Sequence, residues 1–371
     1  MQNIKDIDRY RGCLIGGAAG DALGYAVEFS SENAIFSKYG QRGITEYELD
    51  HGKALISDDT QMTLFTANGL LLCTTRGMLH GIAAPYDSYI GICYRDWLTT
   101  QGYSCPYASG VSWLHNIPEL NHPRAPGSTC ITSLMQAELG LTDKPINNSK
   151  GCGGVMRVAP VGLHLGGGVM RSDDVDRIGA EAAALTHGHE LGWLPAAMLT
   201  HIVDLLAHSD ASVAEAVEDA QQAMRRIFPN ARHADELFRL VELAKKLAVS
   251  SGNDLGSIKA IGEGWVAEET LAIAIFCALR YENDFESALI ASVNHGGDSD
   301  STGAVTGNIL GAKLGLAGIP EKFRTNLELY NTIIEVADDL YNGCRMTKYG
   351  AYSDEVWLRK YVYYTYPNSS K

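Results

Sequence analysis

Glycines recur at every fourth position in two segments near opposite ends of this 371-residue chain. The two sets are Gly12, Gly16, Gly20, Gly24 and Gly303, Gly307, Gly311, Gly315. This spacing places each set along one face of a helix, where a glycine costs about 1 kcal/mol relative to alanine. Close approach of helices explains such an unfavourable repeat. We therefore expect glycine-faced helices that pack tightly.

Apolar residues recur at helical spacing over most of the chain, and alternating strand patterns are scarce. The predicted helices span 12–26, 60–75, 129–140, 174–186, 192–207, 212–227, 234–249, 267–280, 285–293, 302–315 and 326–341. No internal repeat or low-complexity linker divides the sequence. We predict an all-α fold with one domain over 1–371 and a core at about 8–341.

Two segments have no clear helical pattern. The stretch 77–129, rich in Tyr, Trp, Pro and His, looks irregular, and long irregular segments in compact domains often line binding sites. The tail 348–371 carries five tyrosines and one tryptophan. Its sequence is compatible with either a short hairpin or a docking tail.

Acidic residues outnumber basic ones 44 to 30, which gives a net charge of −14. Because no Lys or Arg run exceeds a pair, we expect neither nucleic acid nor an anionic membrane as a partner. The eight cysteines form no C-x-x-C pair and are interpreted as reduced thiols. Without an apolar signal segment or membrane-length stretch, we expect a cytoplasmic protein, and a monomer.

Two acidic clusters lie 240 positions apart, and each precedes an apolar helix. They are Ser57-Asp58-Asp59-Thr60 and Asp298-Ser299-Asp300-Ser301. Together their carboxylates and hydroxyls offer only hard oxygen ligands, which suit Mg²⁺ or Mn²⁺. Two carboxylates about 4 Å apart repel by roughly 4 kcal/mol at an effective dielectric near 20. If all four converge, they imply one or two bound divalent ions.

Each cluster also has a purely structural interpretation. Asp58 with Gln61 would form a capping box for the first helix, and Asp300 or Ser301 would cap the second. Asp298 and Asp300 lie about 200° apart on a helix, so they reach one point only where the backbone is non-helical. We expect the glycine pair 296–297 to supply that freedom. Two such clusters in one chain favour a metal site.

Four further features have both a functional and a structural interpretation. The glycine-rich segment Gly151–Met156 can cradle phosphate with its backbone N–H groups, or serve as a plain loop. His187 can contact a ribose or phosphate, or act as a partner of a helix dipole. Trp265 can stack on a ligand or staple a helix. Glu28, at the expected end of the first helix, can belong to the site or be a solvated acid.

In their order along the chain, these motifs resemble the ADP-ribosylglycohydrolase family. The motifs are G-D-A-L-G, S-D-D-T, G-C-G-G-V-M-R, T-H-G-H, G-E-G-W-V-A-E-E and H-G-G-D-S-D-S-T. The resemblance runs from about Asp8 to Tyr341. It implies a compact orthogonal helical bundle with a dinuclear Mg²⁺ or Mn²⁺ centre. It also implies that the protein removes ADP-ribose from modified protein side chains and releases it as product.

The resemblance assigns a role to individual residues. The implied metal ligands are Ser57, Asp58, Asp59, Asp298, Asp300 and Ser301. The implied contacts to the diphosphate and proximal ribose are Asn148, Ser149, Gly151, Cys152, Gly153, Gly154, Val155 and Met156, with His187 at the phosphates. Trp265 is added as a substrate-stacking wall, and Asp58, Asp59, Asp300 and Glu28 are the candidate catalytic residues.

The chemistry of the residues agrees with this assignment. Cleavage at an anomeric carbon passes through an oxocarbenium-like state and commonly uses two carboxylates, and two metal ions can orient a water and lower its pKa. We expect Asp58 or Asp59 to take the proton of the attacking water, with Glu28 or Asp300 assisting ribose activation or the leaving group.

The identity of the substrate is less constrained. Ser57 and Ser301 resemble the arginine-directed members of the family, so ADP-ribosyl-arginine is the first expectation. ADP-ribosyl-serine, O-acetyl-ADP-ribose and a modified nitrogenase component are alternatives within the same enzyme class. An immunity-type protein that occludes an ADP-ribosyltransferase is the alternative outside it. A non-catalytic structural relative has no need of a full acidic set.

Overall fold

The computed structural model describes residues 4–82 and 85–367, and within these ranges it contains sixteen α-helices and no β-strand. The helices are α1 Ile7–Tyr25, α2 Glu32–Tyr39, α3 Asp58–His80, α4 Tyr86–Thr100, α5 Ser128–Leu134, α6 Ala159–Leu165, α7 Ser172–Ala184, α8 Glu190–His208, α9 Val213–Ile227, α10 Ala234–Ala248, α11 Asp254–Ile261, α12 Ala267–Arg280, α13 Phe285–Val293, α14 Ser299–Leu314, α15 Tyr330–Asn342 and α16 Glu355–Tyr361. This confirms the all-α prediction.

Helices α1 and α14 run antiparallel with their backbones in contact. A Cβ atom added at Gly12 would lie 2.4 Å from the carbonyl oxygen of Gly311, and one added at Gly24 would lie 2.2 Å from that of Ser299. Only glycine permits such an approach, because an ordinary contact of a Cβ atom is at least 3.4 Å. The two glycine sets therefore face each other and bring the end of α1 beside the start of α14.

Asp21 joins a third helix to this pair. It lies one turn before the end of α1 and is fully buried. Its carboxylate accepts hydrogen bonds from the backbone amides of Ser57 at 2.9 Å and Thr60 at 3.0 Å, and from the Thr60 hydroxyl. The first turn of α3 is thereby held against α1. As a result, both acidic clusters lie at one place, although 240 positions separate them.

The largest difference from the predicted helices is in the segment 77–129, which is not irregular throughout. It contains α4, whose buried face includes Ile90, Tyr94 and Trp97. These residues do follow helical spacing, but two of the three are aromatic and carry polar atoms, which weakens the apolar pattern. The helix predicted at 129–140 ends instead at Leu134, and the chain then turns so that the Gly140 amide bonds to the Leu185 carbonyl.

The tail forms a helix and not a hairpin. Asp354 caps α16 by accepting the Trp357 amide, and the Trp357 indole donates to the Thr75 hydroxyl of α3 at 2.9 Å. Lys360 donates to Asp339 at 2.6 Å. The tail thus docks on its own chain, although its residues 368–371 lie outside the described ranges. None of the described helices has the length and apolar character needed to span a membrane.

Candidate metal and ligand site

A cavity of about 400 Å³ lies where the ends of α1, α3 and α14 meet. The lining residues that were expected from the sequence are Glu28, Asp58, Asp59, Gly151, Cys152, Gly153, Met156, His187, Trp265, Asp298, Asp300 and Ser301. The lining residues that were not expected are Phe29, Ala125, Pro126, Gly127, Ser128, Thr129 and Cys130. Ser57, Asn148, Ser149, Gly154 and Val155 are not among the residues that line it. The structure thus brings twelve of the seventeen candidate residues to one cavity.

The start of α3 directs two carboxylates into the cavity. Ser57 is the N-cap and accepts the Asp59 amide at 3.2 Å, so Asp58 and Asp59 are the first two helical residues. The capping box of Asp58 and Gln61, which was the structural interpretation of this cluster, is not formed. Asp58 instead accepts the Gly127 amide at 3.1 Å, and the Gln61 side chain bonds elsewhere. Because the cap is a serine, both aspartates remain available to a ligand.

The start of α14 supplies a second pair. Asp298 is the N-cap, with non-helical φ −71° and ψ 81°, and accepts the Ser301 amide at 3.3 Å. Neither Asp300 nor Ser301 is the cap, which corrects that expectation. The non-helical cap allows Asp298 and Asp300 to face one cavity. Gly297, which precedes the cap, does not have a positive φ. It is needed because the Glu263 backbone lies against it, so that an added Cβ atom would be 1.8 Å from the Glu263 carbonyl oxygen.

The mouth of the cavity combines an acid with two aromatic rings. Glu28 lies in the turn that follows α1, and its neighbour Phe29 is 76% exposed. The Phe29 ring is nearly parallel to that of Trp265, with centroids 6.5 Å apart and an interplanar angle of 22°. The backbone carbonyl of Trp265 accepts a hydrogen bond from the Cys152 amide, which fixes Trp265 beside the glycine-rich segment.

The carboxylates of the cavity lack compensating positive charge. Among the described residues, no Lys, Arg or His forms an ion pair with any of them. Burial and the neighbouring Asp300 raise the pKa of Asp59 well above its usual value and that of Glu28 to about 10. Burial, then Asp300, likewise raises the pKa of Asp58 and Asp298. One buried oxygen of Asp59 and one of Glu28 have no hydrogen-bond partner.

The uncompensated negative charge and the carboxylate oxygens without hydrogen-bond partners fit a divalent cation. Within 4–82 and 85–367, no three His, Cys, Asp or Glu side chains are grouped closely enough to hold an ion. Carboxylates of like charge repel one another, and a divalent cation bound among them would offset that repulsion. The donors are all oxygens and suit Mg²⁺ or Mn²⁺. The metal centre itself stays a prediction.

The glycine-rich segment forms the opposite wall. It makes a short 3₁₀ turn over Cys152–Gly154, next to an isolated β-bridge between Gly151 and Val266. A Cβ atom at Gly153 would lie 2.9 Å from the His187 ring, so a side chain here would displace the histidine. Gly154 faces away and contacts the Gly192 carbonyl. The remaining candidates support this wall; for example, the Ser149 hydroxyl accepts the Gly151 amide.

The family model for ADP-ribosylglycohydrolases matches residues 2–350. The chain belongs to the ADP-ribosylglycohydrolase family. It is 26% identical to the ADP-ribosylhydrolase ARH3 of Bos taurus over 91% of this chain and 93% of the bovine protein. It is equally 26% identical to the ADP-ribosyl-[dinitrogen reductase] glycohydrolase of Rhodospirillum rubrum, over 87% of this chain and 91% of that protein.

A solved structure shows the same fold. The chain is similar to an ADP-ribosylglycohydrolase-related protein complex, with a TM-score of 0.55 and 25% identity, over 91% of this chain and 98% of the solved chain. The resemblance inferred from the motifs is thereby confirmed, and so is the helical fold of the family. Because the sequence identity is the same for the ARH3 protein and for the dinitrogen reductase glycohydrolase, it does not indicate which of the two this chain resembles more.

Two features that shape the cavity of this chain were not predicted from the sequence. Asp21 entered the prediction only as part of the G-D-A-L-G motif. An aspartate within a glycine-faced apolar helix is shielded from solvent, so its carboxylate must be hydrogen-bonded inside the protein. The loop 125–130 contains a Pro126-Gly127 turn signal. Its Ala125 has φ +52°, a conformation that is uncommon for a non-glycine residue and often occurs at functional sites.

Proposed function

We propose that this protein is a divalent-metal-dependent hydrolase that cleaves the glycosidic bond between ADP-ribose and a protein side chain. The observation that carries the proposal is a single cavity with five carboxylates at one side and a glycine-rich turn with His187 at the other. Its volume of about 400 Å³ is within the range of small-molecule sites. Family membership supplies the ligand class.

The residues that would hold the metal are the aspartates of the two helix starts, Asp58, Asp59, Asp298 and Asp300. When bound, two Mg²⁺ or Mn²⁺ ions would neutralise these carboxylates and polarise the oxygens of a sugar hydroxyl or water. Ser57 has a supporting role, because its hydroxyl accepts the Asp59 amide and bonds to Asp300. The N-terminal positions on both helices also favour the ionised aspartates through the helix dipole.

Proton transfer is divided between two groups of the cavity. The buried oxygen of Asp59 without a hydrogen-bond partner is suited to receive the proton of an attacking water. Burial is the largest cause of the raised pKa of Glu28, and Glu28 is not among the residues that would hold the metal, so it is the carboxyl suited to keep a proton and give it to the leaving group. Asp58 is the less available base because it already accepts the Gly127 amide.

The mouth of the cavity supports arginine as the attachment residue. The Phe29 and Trp265 rings are both exposed at the mouth and nearly parallel, with centroids 6.5 Å apart, so they offer aromatic faces to a planar group that binds there. A guanidinium is planar and cationic and stacks on aromatic faces, and the adjacent carboxylates favour its charge. A serine linkage gains nothing from such rings, and it is the second candidate because of the ARH3 relatives.

A release assay tests the reaction. ADP-ribosyl-arginine and ADP-ribosyl-serine peptides are incubated with the protein in MgCl₂ or in EDTA, and free ADP-ribose is measured. We expect release only with the metal, faster from arginine, and lost in Asp59→Ala. Asp143→Ala, an exposed acid outside the cavity, is the matched control and keeps full activity. Release from neither peptide would contradict the proposal.

The same variants address the occlusion alternative. If the protein acted by binding an ADP-ribosyltransferase, the variant with both Asp58 and Asp59 changed to Ala would still block modification of a target, and wild type would release no ADP-ribose. For the substrate preference, Phe29→Leu is expected to lower kcat/KM for the arginine peptide several-fold and to leave the serine peptide unchanged. An equal effect on both peptides would remove the argument for arginine.

A further inference from the structure

Arg157, the last residue of the G-C-G-G-V-M-R motif, is a fully buried cation without an anion. Its side chain has no exposed surface. The guanidinium donates to the Thr186 hydroxyl at 2.7 Å and the Ala182 carbonyl at 3.1 Å, and it contacts the Cys130 sulfur at 3.4 Å. No carboxylate in the described part of the chain forms an ion pair with it. The cost of desolvating this charge is offset by the neutral acceptors and by the Tyr94 ring, whose centroid lies 4.3 Å from the guanidinium carbon.

The Thr186 hydroxyl connects Arg157 to His187. A guanidinium has only donors, so the threonine oxygen must accept this hydrogen bond with a lone pair. Its single proton is then free for the Nδ1 atom of His187 at 2.8 Å. The competing acceptor is the Cys130 sulfur, which lies near the same hydroxyl, and a sulfur is a much weaker acceptor than an imidazole nitrogen. Nδ1 of His187 is therefore the acceptor.

The consequence for the imidazole is a defined tautomer. Burial, with a smaller effect from the positive charge of Arg157, lowers the pKa of His187 to about 3, so the ring is neutral at physiological pH. A neutral imidazole whose Nδ1 accepts a hydrogen bond carries its proton on Nε2. Arg157 and Thr186, which do not line the cavity, hold the ring in this state.

The Nε2 atom faces the cavity at the glycine-rich turn. A Cβ atom added at Gly151 or at Gly153 would lie 3.3 Å from it, and both glycines line the cavity. A group that binds between these glycines would therefore meet an N–H donor and, behind it, the charge of Arg157. An anionic phosphate oxygen matches both features.

We propose that Arg157 and Thr186 are positioning residues that fix His187 as the Nε2–H tautomer, so that the phosphate contact already expected of His187 is made by an N–H donor. This inference rests on the proposed function for the identity of the ligand. The tautomer itself does not depend on the ligand, and the two parts are tested separately.

Nuclear magnetic resonance of the ¹⁵N-histidine-labelled protein tests the tautomer, with His187→Gln to assign the signals. We expect the wild-type spectrum to show protonated Nε2 and unprotonated Nδ1 for His187. The isosteric Thr186→Val variant loses this preference, and Thr186→Ser restores it. A wild-type spectrum with the proton on Nδ1 overturns the proposal, whatever the ligand.

Calorimetry with ADP-ribose tests the function of the relay. We expect Thr186→Val to weaken binding by roughly 3- to 10-fold, the range for one oriented hydrogen bond, and to have no further effect when His187 is already Ala. Equal weakening in both backgrounds indicates a purely structural role and overturns the proposal. Thr75→Val is the matched control, because this buried hydroxyl also accepts a bond from a side-chain N–H but lies away from the cavity.

The two hypotheses fail in different ways. If wild type releases no ADP-ribose from either peptide but shows the Nε2–H tautomer that Thr186→Val removes, the proposed function fails while the orienting role of Thr186 is supported. If wild type releases ADP-ribose but shows the other tautomer, the proposed function is supported and the relay fails.

Discussion

Replacement of Gly20 by alanine tests whether the contact of α1 with α14 builds the cavity. An added Cβ atom would lie 2.0 Å from the carbonyl oxygen of Gly303 and 2.3 Å from its carbonyl carbon. Both atoms belong to a buried helix backbone, so neither can rotate away as a side chain would. The two helices must separate by about 1.4 Å to restore the ordinary 3.4 Å contact.

The expected magnitude follows from two opposing terms. Alanine improves helix propensity by about 1 kcal/mol, whereas overpacking a core costs about 1–3 kcal/mol, occasionally more. With backbone on both sides we expect the upper part of that range or beyond, and a net loss of about 2 kcal/mol. For 371 residues, an unfolding entropy of about 2.1 cal/mol/K per residue converts this loss to roughly 2–3 °C in Tm.

The effect on activity should be larger than the effect on stability. Asp21 is the next residue, and it holds the start of α3 through Ser57 and Thr60. A shift of about 1 Å at a catalytic constellation can cost about 100-fold in rate. We therefore expect Gly20→Ala to remain folded but to lose most of the release of ADP-ribose.

Urea unfolding and the release assay measure the two effects, with Gly77→Ala as the control. Gly77 lies in α3, and the nearest atom to its added Cβ would be 3.9 Å away. That variant should gain up to about 1 kcal/mol from helix propensity and keep its activity. If Gly20→Ala behaved like Gly77→Ala, the backbone contact inferred for α1 and α14 would be wrong.

Three further predictions concern the acidic site. In EDTA at about pH 8, Asp59→Asn should have a higher free energy of unfolding than wild type, because one buried charge without a cationic partner is removed. Its Tm should no longer rise with millimolar MgCl₂, and a variant that still responds fully to Mg²⁺ would exclude Asp59 as a ligand. Burial raises the pKa of Asp59 in the folded protein, so its carboxyl stabilises the fold below the unfolded-state pKa of about 3.9 and loses that contribution as the pH rises. The stability advantage of Asp59→Asn over wild type in EDTA should therefore grow between about pH 4 and pH 8. If urea unfolding gave the same difference in stability at every pH, burial would not be the cause of the shift. Glu328→Gln breaks the largely buried ion pair with Arg124 at 2.8 Å and should lower the free energy of unfolding by about 3 kcal/mol. Because the Arg124 carbonyl accepts the Asp58 amide at 2.9 Å, the Mg²⁺ concentration needed for half-maximal activity should also increase. An unchanged Mg²⁺ titration would show that the loop around Arg124 does not position Asp58.

Local patterns in the sequence determined the helices and the chemistry of the site. Apolar spacing located most helices within a few residues, since one buried face repeats every turn. The glycine sets required close helix contacts, because no other residue fits between touching backbones. The aspartates at two helix starts indicated hard oxygen ligands, because residue type alone limits which cations they prefer. Motif order then identified the family.

The tertiary structure alone decided which of these features meet. It paired the two glycine sets, placed Asp21 under the start of α3, and added the loop 125–130 to the cavity wall. It also joined Arg157 to His187 through Thr186. These contacts connect residues that are tens to hundreds of positions apart, and a hydrogen bond between distant residues leaves no periodic trace in the sequence. Which side chains converge is fixed only when the helices pack.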